Sequence, residues 1–169
     1  PGGDRAAREP WRMAVAVLHA AGCTDLLPGI LPGHGGAAQL AALLARGMQA
    51  GLTSSLGRLF DAGAAIAGIR HVQGYEGQAA MEFEALVERP HALADGYVIR
   101  DGNLDFLPLL LHLAEAQLPA RRAAELFHGT LIAGLADWAA EEAGRSGLRR
   151  IVLGGGCVMN RVLASGLAA

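Results

Sequence analysis

The residues best suited to chemistry form three short constellations. The run Ile151-Val152-Leu153-Gly154-Gly155-Gly156-Cys157-Val158-Met159-Asn160 places three glycines between an apolar segment and a helix-forming one. Glycines at such a junction let backbone N–H groups approach an anion such as a phosphate, and a helix N-terminus adds partial positive charge. The spacing is neither G-x-G-x-x-G nor a Walker loop. A tight strand–helix turn explains the same glycines, and Asn160 is either a nucleotide contact or a first-turn polar residue. In Tyr75-Glu76-Gly77-Gln78-Ala79-Ala80-Met81-Glu82, a glycine again precedes an Ala-rich stretch. Glu76 and Glu82 there suit ribose hydroxyls or a cation. Glu82 and Glu84 also suit the first turn of a helix, where the dipole favours acids. In Thr53-Ser54-Ser55-Leu56-Gly57-Arg58-Leu59-Phe60-Asp61, helical periodicity sets Asp61 on the face of Gly57 and Arg58. A ligand laid against Gly57 would meet both charges; a solvated i, i+3 Arg–Asp pair is the alternative.

Other chemistries are excluded or weak. All fourteen basic residues are Arg, so a lysine Schiff base, a Walker-type lysine and a lysine general base are impossible here. The histidines at 19, 34, 71, 91, 112 and 128 include no two spaced three to five residues apart, so no local zinc pair exists. His34, in a glycine loop, is expected exposed and mobile. His128, on the face of Ala124 and Leu131 or Ile132, is expected to be a hydrogen-bonded helix histidine. Cys157 is either a thiol activated at a helix N-terminus or, the better expectation, a small packed residue. No Ser-His-Asp or Cys-His set emerges. Two cysteines, Cys23 and Cys157, make no disulfide framework, and a reducing cytoplasmic setting follows as the expectation.

The elements that position these groups come from a chain of 169 residues, 52% apolar and only 18% charged, with a net charge of −2. That composition supplies a core and excludes general disorder. With aromatics at 5%, the core must be built from Ala, Leu, Val and Ile. The slightly acidic balance argues against nucleic acid as a partner. The charge-free stretch Leu26–Ala45 carries two Pro and four Gly and reads as a loop entering a helix, not a membrane span. Helical spacing predicts helices over Trp11–Ala21, Ala37–Gln49, the segment from Ser55 to Gly68 with an N-cap from Thr53–Ser55, Gly77–Glu88, Leu107–Ala116 and Pro119–Ala143. In the last of these, Ala123, Phe127, Leu131, Leu135 and Trp138 form an i, i+4 seam. The loop Pro28–Gly36 and the turn Gly144–Gly147 separate elements. Tyr97–Arg100 and Asn103–Phe106 around Asp101-Gly102 predict a hairpin. Arg149–Leu153 predicts a buried strand, and Met159–Ala169 a closing helix. Because the chain opens at Pro1 and ends inside that helix, it reads as part of a longer protein.

Together these segments resemble one family. Pro1-Gly2-Gly3-Asp4 with Arg8-Glu9-Pro10-Trp11-Arg12-Met13-Ala14, the Leu52–Ala62 and Tyr75–Glu82 segments, Phe127-His128-Gly129-Thr130-Leu131, and Gly154–Arg161 follow in the order of the signatures of HypF, the carbamoyltransferase family of nickel–iron hydrogenase maturation. The resemblance implies a mixed α/β, helix-rich, actin/Hsp70-like nucleotide-binding domain. Residues 1–169 would be its second lobe, a single partial domain lacking the upstream modules and the extreme C-terminus. An upstream module would make carbamoyl-adenylate from carbamoyl phosphate and ATP. The domain would pass the carbamoyl group to the C-terminal cysteine of a HypE-like acceptor, on the way to cyanide-ligand synthesis. Carried onto this chain, Gly154, Gly155, Gly156 and Asn160 would hold phosphate. Asp61, Gly77 and Glu82 would face ribose and adenine, with Ser55, Gly57, Arg58 and Glu76 beside them.

The sequence also departs from the family. Its His-x-x-x-His metal pair, and an aspartate beyond the glycine loop, are absent, so the divalent zinc or iron of the family would have its ligands outside these residues and the chain alone would be inactive. The loop reads Gly154-Gly155-Gly156 where Ser-Gly-Gly is usual, which removes a hydroxyl and leaves the backbone path open. An attacking thiol supplied by the acceptor accounts for the missing nucleophile. The competing readings are a sugar kinase or other ATPase of the same broad fold, and a non-catalytic helical interaction domain.

Overall fold

The computed structural model describes residues 1–48 and 51–169. In chain order the elements are α1 (Asp4–Arg8), α2 (Trp11–Ala20), α3 (Leu27–Ile30), α4 (Gly35–Ala45), α5 (Leu56–Ile66), α6 (Gln78–Glu84), β1 (Val98–Arg100), β2 (Asn103–Asp105), α7 (Leu107–Ala116), α8 (Ala120–Ser146) and α9 (Arg161–Ala168). Short 3₁₀ turns cover Thr24–Leu26 and Gly156–Met159. The chain is helix-rich, as its periodicity predicts. None of its described helices is long and apolar enough to cross a membrane.

α5 lies at the centre. It packs on α2, which carries α4 on its other side, while α6 and α7 flank it. Ser55 takes an extended conformation (φ −70°, ψ 121°) at the N-terminus of α5. Its side chain makes no capping bond there. Its own amide is instead held by Thr53 Oγ1 at 3.1 Å. Seven consecutive residues, Phe60 to Ile66, are buried. The second organiser is α8, which ends at Gly147 in the left-handed region. The predicted seam of Ala123, Phe127 and Leu131 is buried, but so is every residue between them. The first half of α8 is enclosed because the segment after α6 crosses it. His91 N donates to Glu125 O at 3.3 Å, and a Cβ added to Gly129 would sit 2.3 Å from the His91 backbone. Phe127 meets Phe60 at 5.2 Å and Phe83 at 5.0 Å between ring centroids, joining α5, α6 and α8.

The hairpin forms as predicted. Val98 pairs with Asp105 and Arg100 with Asn103. Asp101 (φ 52°) and Gly102 (φ 74°) make the turn with the positive φ that matches strand twist. Trp138 Nε1 donates to Gly102 O at 2.8 Å, fastening the hairpin to α8.

Several boundaries differ from the sequence reading. The helix predicted to run to Glu88 stops at Glu84, and the chain tightens there (Val87 N to Glu84 O, 3.0 Å) so that residues 89–93 can reach α8. The loop at 28–36 contains α3, and α4 begins at Gly35, ahead of Ala37. The predicted end of α4 at Gln49 lies outside the described residues. α8 continues to Ser146, through the predicted turn. The largest correction concerns Arg149–Leu153. The segment belongs to no sheet: among the described residues β1 and β2 are the strands, and they pair with each other. With no described strand beside it to complete a ladder, Ile151, Val152 and Leu153 stay 57%, 84% and 47% exposed. The closing helix is also divided, because Asn160 leaves helical geometry (φ −66°, ψ 113°) between the 3₁₀ turn and α9.

Candidate functional site

The three constellations meet around the N-terminal half of α5. The 3₁₀ turn that follows the glycines packs on α5. A Cβ built on Gly57 would lie 3.5 Å from Ser55 Oγ and 3.8 Å from Cys157 Sγ. Ser55 is exposed, while Gly57 and Arg58 are half-buried. One turn on, Asp61 is only 2% exposed. Its Oδ2 lies 2.8 Å from Arg58 Nη1, and its Oδ1 accepts from Gln73 Nε2 at 3.2 Å. The solvated Arg–Asp pair is thus excluded. Burial raises the Asp61 carboxyl to about 6, outweighing Arg58 and Gln73, and the charge of Glu76 pushes the same way. The site therefore holds a carboxylate that the fold disfavours and that titrates close to neutrality, which is the signature of a functional group.

Gln73 had no signal in the sequence. Its buried side chain links Asp61 to the second constellation, because its Oε1 accepts from Ala79 N at 2.9 Å. Gly77 enters α6 at φ 81°, and Glu76 is exposed beside it. Glu82 is occupied: Arg70 donates to both its oxygens (Nη2 2.6 Å, Nε 2.8 Å), and Gln78 Nε2 adds a third bond at 2.9 Å. These bonds, Arg70 first, hold the Glu82 carboxyl below its usual range. Glu84 accepts the amide of Arg161 at 2.8 Å and so ties α6 to the start of α9. The acids read as first-turn helix residues are cross-braces.

The glycine loop is open. Gly154, Gly155 and Gly156 are exposed, and a Cβ on any of them would meet nothing within 4 Å. Gly155 has φ 95° and ψ 171°, a conformation that side-chain-bearing residues avoid. The amides of these three glycines donate to no acceptor among the described residues. Such a loop can receive a phosphate. Asn160, at the end of this segment, is buried and caps α9 through Oδ1 to Leu163 N at 2.9 Å. The Cys157 thiol is half-buried, and burial raises its pKa, so it behaves as packing and not as an activated nucleophile. His34 is not the mobile loop residue expected; its ring stacks on Trp11 at 4.4 Å between centroids. Among the described residues no three His, Cys, Asp or Glu side chains gather to hold a metal, so the family's divalent metal is not placed on this chain and no step is drawn through it.

Comparison with known proteins agrees with this geometry. Residues 1–169 match the family described as Carbamoyltransferase, Kae1-like Domain, second subdomain. The chain belongs to the HypF carbamoyltransferase family. It is 66% identical over 169 residues to a carbamoyltransferase HypF of Rhizobium leguminosarum bv. viciae, covering 99% of this chain and 22% of that protein. A HypF of Rhodobacter capsulatus is 41% identical over 97% of this chain and 22% of its own length. The fold matches a crystal structure of full-length HypF in the phosphate- and nucleotide-bound form, with a TM-score of 0.83 and 24% identity over 99% of this chain and 23% of that one. The structure of Thermococcus-type "T.kodakarensis HypF" gives 0.81 and 23% identity over 99% of this chain and 24% of that one. The chain spans about a quarter of the length of these relatives. Family membership decides against the sugar-kinase alternative.

Proposed function

We propose that this chain forms the nucleotide-facing part of a carbamoyl transfer site, in an actin/Hsp70-like domain that uses carbamoyl-adenylate derived from carbamoyl phosphate and ATP. The observation that carries the reading is the convergence of the open glycine loop, the α5 N-terminus and the buried Asp61. In this reading, the free amides of Gly154–Gly156 receive phosphate oxygens, which stabilises negative charge without side-chain reorganisation. Gly57 leaves room for the nucleotide beside Ser55 and Arg58. Asp61 and Glu76 face its hydroxyl groups next to Gly77, and Arg70 fixes Glu82 at the rim. The relatives' name supports the transferred group, and the phosphate- and nucleotide-bound form of one of them supports the ligand class.

The acceptor is the thiol of a C-terminal cysteine on a HypE-like partner, in a reducing cytoplasm. Its sulfur attacks the carbamoyl carbon; the C–S bond forms, the carbon–oxygen bond to the adenylate phosphate breaks, and AMP leaves. The thiol proton passes to solvent. A divalent metal belonging to the longer protein supplies further charge stabilisation when bound.

The test grafts this chain into the R. leguminosarum relative in place of its matching segment. Transfer to the acceptor is followed by mass as one added carbamoyl group, and ATP binding by calorimetry. The graft is expected to retain both, and Gly155→Val to abolish both while the domain stays folded. Full transfer with Gly155→Val would reduce the loop to a turn and end this reading.

A further inference from the structure

Beneath the open loop lies a buried pair that the proposed chemistry does not use. His128, in the enclosed half of α8, is fully buried, with Phe60 and Phe83 each 5.5 Å from it between ring centroids. Its Nδ1 lies 2.8 Å from Ala124 O, and its Nε2 lies 3.1 Å from Asn160 Nδ2. Hydrogen-bond accounting fixes every proton in this chain. A carbonyl only accepts, so Nδ1 carries the hydrogen and Nε2 is a bare acceptor. The Leu163 amide only donates, so Asn160 presents Oδ1 to it and Nδ2 to the ring. Asn160 is also where the loop turns into α9: its N donates to Cys157 O at 3.2 Å, and its O accepts from Ala164 N at 2.9 Å.

We propose that His128 is a positioning residue for the glycine-loop site: its unprotonated Nε2 holds the Asn160 carboxamide, and through it fixes the exposed loop 154–156 against the end of α5. The ligand's identity rests on the proposed function; the positioning does not. The exposed loop has no packing of its own, so its geometry depends on this buried anchor and on the Glu84–Arg161 bond beside it. One Nδ2 hydrogen of Asn160 is spent on the ring, and the other takes part in neither bond.

Two substitutions separate an acceptor at Nε2 from bulk. His128→Gln can present an acceptor where Nε2 stands, whereas His128→Asn reaches only as far as Nδ1. Amide exchange of Leu163 and of residues 154–157, read by NMR on the chain itself, is expected to quicken about tenfold in His128→Asn and to stay within about twofold of the original in His128→Gln. In the graft, ATP affinity follows the same pattern. Protonating Nε2 sets hydrogen against hydrogen, so Leu163 protection should fall as the ring titrates. Burial lowers that ring's pKa below the ordinary histidine value, and Glu84, on α6, is the charged group bearing on it. Should His128→Asn fail to fold, Asn160→Asp keeps the cap and loses the donor; the His128 ring should then titrate at higher pH as it pairs with the new carboxylate. Equal exchange in the Gln and Asn variants, or an unmoved ring in Asn160→Asp, would show that His128 only fills space. If the exchange pattern holds while Gly155→Val leaves ATP binding intact, the nucleotide reading falls and the positioning role stands.

Discussion

Gly129 and Gly155 are the same residue serving opposite ends. At Gly129 the missing side chain admits a neighbouring backbone: a Cβ there would lie 2.3 Å from three atoms of the His91 main chain. At Gly155 nothing lies within 4 Å, and glycine is required by its backbone angle of φ 95°. One glycine closes a core; the other keeps a surface open. The contrast extends to their surroundings. Around Gly129 nine residues in a row, Ala123–Leu131, are buried, whereas Arg149–Gly156 are all exposed. A molecule that encloses one segment so fully and leaves another, equally apolar at Ile151–Leu153, uncovered has concentrated its stability in α5 and α8 and its binding capacity at the junction.

The comparison can be broken first at Gly129. Gly129→Ala forces the 89–93 segment off α8 and should cost about 3 kcal/mol, measured by denaturant unfolding, because a main chain cannot swing aside as a side chain can. A cost near zero would mean that α8 is not closed as described. Asp61→Asn comes next, with the opposite sign. The folded-state pKa of about 6 lies above the unfolded value near 3.8, so the native state keeps a proton that the unfolded chain has released. Stability from this group is therefore present at low pH and is lost as pH rises from about 4 through about 6. The neutral amide should stabilise the chain at pH 7 by about 2 kcal/mol, a benefit that vanishes near pH 4. In the graft the same change should weaken ATP binding about ten- to a hundredfold, the usual worth of one charge-assisted hydrogen bond. Loss of stability at pH 7 would show that Arg58 outweighs burial.

At the open end, Gly155→Val should lower stability by only about 1–2 kcal/mol, the cost of a positive φ, while removing ligand binding altogether. A larger loss of stability would make the loop part of the core and erase the contrast. The smallest effect belongs to Cys157→Ser. Thermal stability should shift within about 1 kcal/mol and transfer should persist, since burial raises the thiol pKa. Loss of transfer without unfolding would give the domain its own nucleophile and end direct attack by the acceptor.

Much of this was legible in the residues. Asp101-Gly102 announces its hairpin because only the positive φ of both positions matches strand twist. The i, i+4 seam announces α8, and His128 reads correctly as a hydrogen-bonded helix histidine. Asp61 did not read correctly. An Arg three residues earlier suggests a solvated pair, and nothing local reports that α2 and α6 will cover this end of α5. Gln73 was silent because its partners are Asp61, twelve residues earlier, and the amide of Ala79. Arg70 and Glu82, equally far apart, were silent for the same reason.

The sequence by itself determined what depends on neighbours along the chain: which segments are helical, where the turn of positive φ falls, that no lysine chemistry is available, and the family to which the motifs belong. Tertiary structure alone decided the rest. It buried Asp61 and so raised its carboxyl, bound Glu82 to Arg70, and gave His128 its second partner, Asn160. It also left Arg149–Leu153 without a ladder. The reason is physical. Helical propensity and turn geometry arise from contacts within a few residues, whereas desolvation and strand pairing depend on surfaces brought together from distant parts of the chain. An apolar run can state its readiness to be a strand, but the hydrogen bonds that make it one belong to its neighbour.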